Sequence, residues 1–299
     1  MKHLLNDLRH NGGRAIGLVL LICLLLTLGG PALAQEPTPQ GPTIGLTAAQ
    51  DMTQVIGANA VRSAALAPNG SMLVYHDNRL VCILTIADQN TTCTPLPDNF
   101  NGDPTTFWWG PNSAFVVFTE NVFRNLFESD IWLFNATDGS ITNLTDDGVT
   151  GGFLDAQQAF SLDYTPVWNP TNGDVYFFRS QRIPGGSATD LNMALYRLTP
   201  GGAPALVRDL TGELPAFSIG ALDINLYLDG LATVSPNGAA MAAVVRAGAD
   251  NPQSGIWLID LSGQNASQQV SGQQFTIGLP SWQQNRLVVE GIAWSPDSA

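Results

Sequence analysis

The chain has 299 residues, of which 44% are hydrophobic and 12% are charged, and its formal net charge is −13. This composition is too apolar for a disordered chain, and the excess of acid argues against nucleic-acid binding, because such a surface repels phosphate groups. The 30 glycines and 19 prolines show no period of three and favour a fold with many turns.

The first 34 residues have the features of a signal peptide. A basic segment precedes an apolar run from Ala15 to Leu28, and small residues follow at the positions that signal peptidase recognises. We expect cleavage between Ala34 and Gln35, export to the periplasm or the cell exterior, and no stable membrane insertion afterwards. An uncleaved signal anchor that tethers the protein to a membrane is the alternative.

Removal of this segment makes the chain more acidic. Three of the 12 basic residues and one of the 25 acidic residues lie in it, so the remainder carries 9 basic and 24 acidic residues and a net charge of −15. Residues 35–52 are rich in proline, glutamine and threonine, which predicts a flexible linker. We assign the rest of the chain, 53–299, to the folded domain.

Five short motifs recur along the folded domain. Each has an apolar residue, a small or polar residue, proline, and then Asn or Asp with Gly or Ser, and the third has one extra residue before Gly173. Proline presets φ for the first turn position, and Asn-Gly or Asp-Ser accepts the conformation that closes the turn. The prolines of these turn markers are Pro68, Pro111, Pro170, Pro236 and Pro296.

Each marker is followed by strand-like segments. In the fourth unit these are Ala240 to Val245 and Ile256 to Ile259, rich in β-branched and apolar residues, and no long amphipathic helix is evident. Each unit therefore predicts four antiparallel strands. A small sheet buries both of its faces when such sheets stack radially, so the predicted fold is an all-β β-propeller of about four blades plus the start of a fifth.

The chain stops inside the fifth marker. We therefore expect a truncated propeller or a fragment of a longer chain, since an unclosed edge favours aggregation. An open array completed by a partner or by dimerisation is the alternative. The stretch 214–229 is expected to add a strand or loop to the propeller.

Several segments resemble the repeats of TolB-like propellers. They are Asp-Ile-Trp-Leu-Phe at 130–134, Gly-Ile-Trp-Leu-Ile-Asp at 255–260 and Ala-Trp-Ser-Pro-Asp at 293–297. Similar repeats form the N-terminal propellers of prolyl-oligopeptidase-type and dipeptidyl-peptidase-type enzymes. The resemblance covers about residues 55 to 299, and an insertion at 182–191 makes the third unit depart from it. It implies a fold and leaves the ligand open.

Two cysteines, Cys82 and Cys93, remain after signal cleavage. They flank a turn-like Asp-Gln-Asn sequence, which allows them to face each other in one hairpin, and an exported protein with an even pair favours a disulfide. Two separate buried thiols are the alternative.

The candidates for catalysis and metal binding are few. His76 is the one histidine after the signal segment, no Gly-x-Ser-x-Gly sequence occurs, and we interpret His76 as an exposed or half-packed residue at a strand end. Acidic clusters at 98–103 and 146–147 lack the spacing of a calcium loop and are interpreted as turns. We therefore expect no catalytic, cofactor or metal residues.

Tryptophan precedes the marker proline in three units, at Trp109, Trp168 and Trp294, which indicates a repeated structural role. The adjacent Trp108 is interpreted as a packing residue, with a ligand-facing role as the alternative.

These features favour an exported, non-catalytic scaffold that binds a protein or peptide, and the resemblance implies binding to envelope proteins. The alternative is the N-terminal regulatory propeller of a secreted prolyl-oligopeptidase-type peptidase whose catalytic domain is absent from this chain. The sequence does not determine the oligomeric state.

Overall fold

All regular elements in the described part of the chain are β-strands. The computed structural model describes residues 63–104, 106–120, 129–149, 161–181, 192–213, 231–245, 255–264, 266–271 and 292–297. Within these ranges no helix is long and apolar enough to cross a membrane. The predicted signal peptide with Ala34 and Gln35, the linker 35–52, the insertion 182–191 and the stretch 214–229 lie outside the described residues.

The strands form four sheets of four strands each. The first sheet contains β1 (Ala64–Leu66), β2 (Met72–Asp77), β3 (Leu80–Thr85) and β4 (Asn90–Pro95). The second contains β5 (Trp108–Trp109), β6 (Phe115–Thr119), β7 (Ile131–Asn135) and β8 (Ile141–Asn143). The third contains β9 (Ser161–Trp168), β10 (Val175–Gln181), β11 (Ala194–Leu198) and β12 (Ala205–Asp209). The fourth contains β13 (Ala232–Val234), β14 (Ala240–Val245), β15 (Gly255–Asp260) and β16 (Ala266–Ser271).

Within every sheet the strands pair with their neighbours in chain order, and every pairing is antiparallel. Such a meander has two ends. The turns between first and second strands and between third and fourth strands lie at one end, which we call the turn end. The strand ends that lead into the connections between second and third strands, and into those from one sheet to the next, lie at the other end, which we call the loop end.

The burial of the strands shows that the sheets are stacked. The middle strand β3 is buried from Val81 through Leu84, so both of its faces are covered, whereas the outermost strand β4 is largely exposed. In β9, buried residues run from Ser161 to Val167. Continuous buried strands are expected where a sheet is covered on both sides.

A hydrophobic cluster fills each boundary between consecutive sheets. Val74 of the first sheet packs with Phe118 and Trp132 of the second. Val117 of the second packs with Phe177 of the third. Tyr164, Phe178 and Leu195 of the third pack with Met241 and Ile259 of the fourth. Burial of each large apolar side chain stabilises the fold by roughly 1.5–3 kcal/mol, so these boundaries hold the sheets together.

Tryptophan side chains tie the first strands of the sheets together. The indole Nε1 of Trp109 donates a hydrogen bond to the carbonyl oxygen of Ala65 at 2.9 Å, and Trp168 Nε1 donates to the carbonyl oxygen of Trp108 at 2.9 Å. Trp294 of the fifth repeat donates in the same way to Thr233, at 3.1 Å. The repeated structural role predicted for these three tryptophans is therefore confirmed.

The fourth repeat has Val234 where the second, third and fifth repeats have tryptophan. Here the link to the preceding sheet comes from Asn169, whose Nδ2 donates to the carbonyl oxygen of Gly238 at 2.9 Å. The first strands thus lie side by side as inner strands, and the four sheets are four consecutive blades of an all-β propeller, as predicted.

Candidate functional site

A pocket of about 480 Å³ lies where the inner strands of the four blades meet, and we call it the axial pocket. Each blade contributes side chains from its inner strand. The most prominent are Leu66 from the first blade, Trp108 and Trp109 from the second, Trp168 from the third and Val234 from the fourth. The site is therefore a product of the repeat, because equivalent positions of successive blades converge on it.

Three of the turn markers also border the axial pocket, through Pro68, Pro111 and Pro170. Each of these prolines follows an inner strand within two residues, so the pocket opens at the turn end. Pro236 and Pro296 are not among its lining residues.

The marker turns have the geometry that their residues predict. Asn237 Oδ1 accepts the backbone N–H of Ala239 at 3.0 Å, and Gly238 follows with a φ of 73°. In the second blade Ser113 takes the place of glycine and has a φ of 57°. Its Oγ accepts the backbone N–H of Asn69 from the first blade at 3.2 Å. The markers thus close the turns and also join neighbouring blades.

Apart from Thr233, the residues that line the axial pocket have apolar side chains. Leu66 is 58% exposed there. The tryptophans Trp108, Trp109 and Trp168 are half-buried. Because the indole nitrogens of Trp109 and Trp168 are engaged by backbone carbonyls, these rings are held in place and offer the pocket apolar surface.

Trp108 lies both in the hydrophobic core and at the axial pocket. It packs against the hydrophobic clusters on both sides of the third blade, and it also lines the axial pocket. Nothing in the local sequence brings Leu66, Trp168 and Val234 to the same pocket, since only the stacking of the blades does so.

Several buried polar side chains lie at the loop end, away from the axial pocket. Glu120, 1% exposed, accepts backbone hydrogen bonds from Asn101 at 3.0 Å and from Asp130 at 3.2 Å. Burial raises the pKa of Glu120 to about 7, although the two backbone hydrogen bonds oppose the rise. Asp130 in turn accepts hydrogen bonds from Asn143 Nδ2 and Thr145 Oγ1.

An ion pair is buried in the third blade nearby. Arg179 donates two hydrogen bonds of 2.6 Å to the carboxylate of Asp163, and its guanidinium lies over the rings of Phe177 and Tyr196. Burial raises the pKa of Asp163 to about 6, against the bonds and charge of Arg179, so the carboxylate is ionised at neutral pH. Burial lowers the pKa of Arg179, but the hydrogen bonds that it donates to Asp163 and the charge of Asp163 raise this pKa by more, so the guanidinium stays charged. The two charged groups thus pair with each other through two hydrogen bonds inside the blade.

His76 is 1% exposed, and the prediction of an exposed or half-packed strand-end residue is wrong. Strand β2 continues to Asp77, so His76 lies inside it and follows Val74 on the face toward the second blade. Its Nε2 contacts the carbonyl oxygen of Asn78 and lies 4.0 Å from Asp103 Oδ1.

The structure places Cys82 and Cys93 directly opposite each other in β3 and β4 and joins them by a disulfide, with a Cα–Cα distance of 4.0 Å.

The acidic segments 98–103 and 146–147 take part in turns: Asp146 and Asp147 each accept a backbone N–H two residues further on. Among the described residues, no group of three or more His, Cys, Asp or Glu side chains is arranged to hold a metal ion.

No protein-family model and no curated protein matches the chain. Similar solved structures include TolB from Acinetobacter baumannii, with 15% identity and a TM-score of 0.41 over 69% of this chain and 42% of that chain. Dipeptidyl peptidase 4 from Porphyromonas gingivalis has 13% identity and a TM-score of 0.40 over 67% of this chain and 31% of that chain. An oligogalacturonate lyase in complex with manganese has 11% identity and a TM-score of 0.36 over 79% of this chain and 70% of that chain.

This chain thus spans less than half the length of the TolB and dipeptidyl peptidase 4 chains. They are the two kinds of protein whose repeats the sequence resembles. The propeller architecture itself rests on the strand order and inter-blade contacts described above.

Proposed function

We propose that this chain is an exported, non-catalytic propeller that binds a protein or peptide, and that the axial pocket is the binding site. The observation that carries the proposal is the pocket lining. The first three blades place tryptophan, proline and leucine side chains around one opening, the fourth adds Val234, and Leu66 is 58% exposed there. Concave sites of this kind, apolar with few polar groups, are typical of ligand and peptide recognition.

The rigidity of the lining supports binding of a partner. Trp109 and Trp168 are fixed by their indole hydrogen bonds, so a ligand that stacks on them does not have to immobilise them. Tryptophan is also among the residues that most often dominate binding energy at protein interfaces.

The chemistry of the lining supports a non-catalytic role. General acid–base catalysis needs a titratable side chain at the site, and the lining residues that the structure describes include none. The carboxyls with raised pKa values, Glu120 and Asp163, are bonded to backbone N–H groups and to Arg179 at the loop end.

Export is supported by the Cys82–Cys93 disulfide, because such bonds persist in oxidising compartments. The test is the intact mass of the protein recovered from a secreting host. A species beginning at Gln35 supports export with cleavage. A species that retains residues 1–34 and sediments with membranes contradicts cleavage and supports the membrane-tethered alternative.

Two exposed leucines provide a matched test of the binding site. Leu66 and Leu206 are both 58% exposed, but Leu66 lines the axial pocket and Leu206 lies on the outer strand β12. A random linear peptide library displayed on phage is selected on the mature protein, and enriched peptides are titrated against Leu66→Ser and Leu206→Ser. We expect Leu66→Ser to weaken binding by about fivefold or more, and Leu206→Ser to leave it unchanged.

Two outcomes would contradict the proposal. One is that no peptide is enriched over an unrelated control protein. The other is that enriched peptides bind Leu66→Ser and Leu206→Ser equally well. Far-ultraviolet circular dichroism of both variants checks that the fold is retained.

A further inference from the structure

We propose that the axial pocket recognises a positively charged segment, that is, a peptide in which arginine or lysine stands beside apolar residues. This inference rests on the proposed function and specifies the chemistry of the partner. It follows from the charges around the pocket and from the faces of its tryptophans.

No positive charge of the described chain is available at the pocket. The described residues include four arginines and no lysine, and none of these arginines lines the pocket. Arg179 is paired with Asp163, and Arg79 donates to the carbonyl oxygen of Pro97 at 2.8 Å. The remaining two are engaged as well: Arg197 lies 3.8 Å from Asp174, and Arg208 donates to Glu213 at 2.7 Å.

Carboxylates, in contrast, lie in several turns of the same end, and further acidic residues lie at the loop end. Asp88, Asp138 and Asp260 lie in the turns between third and fourth strands, and each accepts a backbone N–H within its turn. Hydrogen bonds from Ser140 lower the pKa of Asp138, so this exposed carboxylate is ionised at neutral pH. Asp297 of the fifth marker is exposed as well.

These carboxylates produce a negative potential over the turn end. The potential extends over about 8 Å at physiological salt and attracts cations while it repels anionic ligands. The net charge of −13 for the whole chain acts in the same direction.

The tryptophan rings provide the local contact. A guanidinium or ammonium group over the face of tryptophan is stabilised by about 0.5–2 kcal/mol, depending on how far it is desolvated. The rings of Trp108, Trp109 and Trp168 border the pocket. Apolar neighbours in the ligand can pack on Leu66 and on the marker prolines, so a mixed cationic and apolar segment matches both parts of the lining.

The test uses the composition of the peptides enriched from the phage library. We expect arginine and lysine to be enriched over the unselected library, and aspartate and glutamate to be depleted. One enriched peptide is then synthesised in two forms, one with arginine and the other with citrulline, the neutral isostere of arginine, at the same position. The arginine form is expected to bind about two- to thirtyfold more tightly at low salt, and the difference should shrink as salt is added.

Charge substitutions at the matched leucines give an independent readout. Leu66→Lys is expected to weaken binding of the arginine peptide much more than Leu66→Glu does, while Leu206→Lys and Leu206→Glu leave it unchanged. Both Leu66 variants remove the same apolar side chain, so their difference reports the charge of the ligand.

Each contrary outcome has a distinct meaning. Neutral or acidic enriched peptides that still depend on Leu66, or equal binding of the arginine and citrulline forms, overturn the inference and leave the proposed function standing. Enriched peptides that do not depend on Leu66 at all overturn both.

Discussion

The indole nitrogen of Trp168 donates a hydrogen bond to the backbone carbonyl of Trp108 at 2.9 Å, across the boundary between the third and second blades. The donor stands just before a turn marker, and the acceptor lies on the neighbouring inner strand. The same bond recurs from Trp109 to Ala65 and from Trp294 to Thr233. A sequence repeat is thereby converted into a repeated contact between blades.

Trp168→Phe should therefore destabilise the fold. The variant removes the indole N–H and leaves the carbonyl of Trp108 without this donor, which costs about 1–2 kcal/mol in the free energy of unfolding. Urea denaturation followed by circular dichroism measures the loss. Trp108→Phe is the matched control, because it makes the same change of ring and keeps the hydrogen bond. Equal losses in the two variants would show that the bond contributes nothing.

Gly238 lies at a second contact between blades. Gly238→Ala should therefore destabilise the fold more than Gly173→Ala, the same substitution in the equivalent turn of the third blade. Gly238 and Gly173 both have a φ of 73°. A Cβ on Gly238 would meet Asn169 Oδ1 at 2.5 Å, whereas a Cβ on Gly173 has nothing within 4 Å.

Gly173→Ala is thus the control for the backbone conformation alone, which costs about 1–2 kcal/mol. Gly238→Ala should cost roughly 1–3 kcal/mol more, because it also forces the third and fourth blades apart. Thermal or urea unfolding compares the two. A difference close to zero would mean that the blades do not approach at this point as closely as described.

The blades themselves could be predicted from the sequence because their signals are local. The strand Ala240–Val245 has the bounds that its apolar run predicts, and the markers form the expected turns. The residue preferences of turns and the alternation of apolar and polar residues along a strand act within a few residues, so both can be recognised in the sequence.

Features that depend on distant contacts escaped prediction. Thr165 has a φ of 54° and is buried at a bulge in β9, although a β-branched residue disfavours this conformation. His76 is buried because β2 extends past its predicted end. Leu66 and Val234 occupy the same position of their repeats, but the stacking of the blades, which brings them to one pocket, is a long-range feature that the local sequence does not specify.

Glu120 predicts an unusual dependence of stability on pH. Its folded pKa, about 7, lies above the ordinary 4.5 because burial disfavours the charged form. The folded state therefore holds this proton more tightly than the unfolded state. The stabilising contribution is complete below pH 4.5 and is lost as the pH rises to about 7, with a total change of about 3 kcal/mol.

Glu120→Gln removes the titrating group, so its stability should decline less than that of the original protein over this interval. Urea denaturation at a series of pH values measures the difference between the two proteins, in which contributions of the other carboxyls cancel. Parallel curves for the two proteins would contradict the assigned pKa.

The disulfide ties β3 to β4 in the first blade, where Cys82 is buried and Cys93 is exposed. Cys82→Ala with Cys93→Ala removes a cross-link between residues 11 apart in sequence. The unfolded chain gains freedom as a result, and we expect a loss of about 2–3 kcal/mol in the free energy of unfolding. A reducing agent should bring the original protein to the same stability, since the exposed sulfur of Cys93 is accessible, and it should leave the double variant unchanged. If reduction has no effect on the original protein while mass spectrometry shows both thiols free, the first blade is held by its backbone pairing and hydrophobic boundary alone.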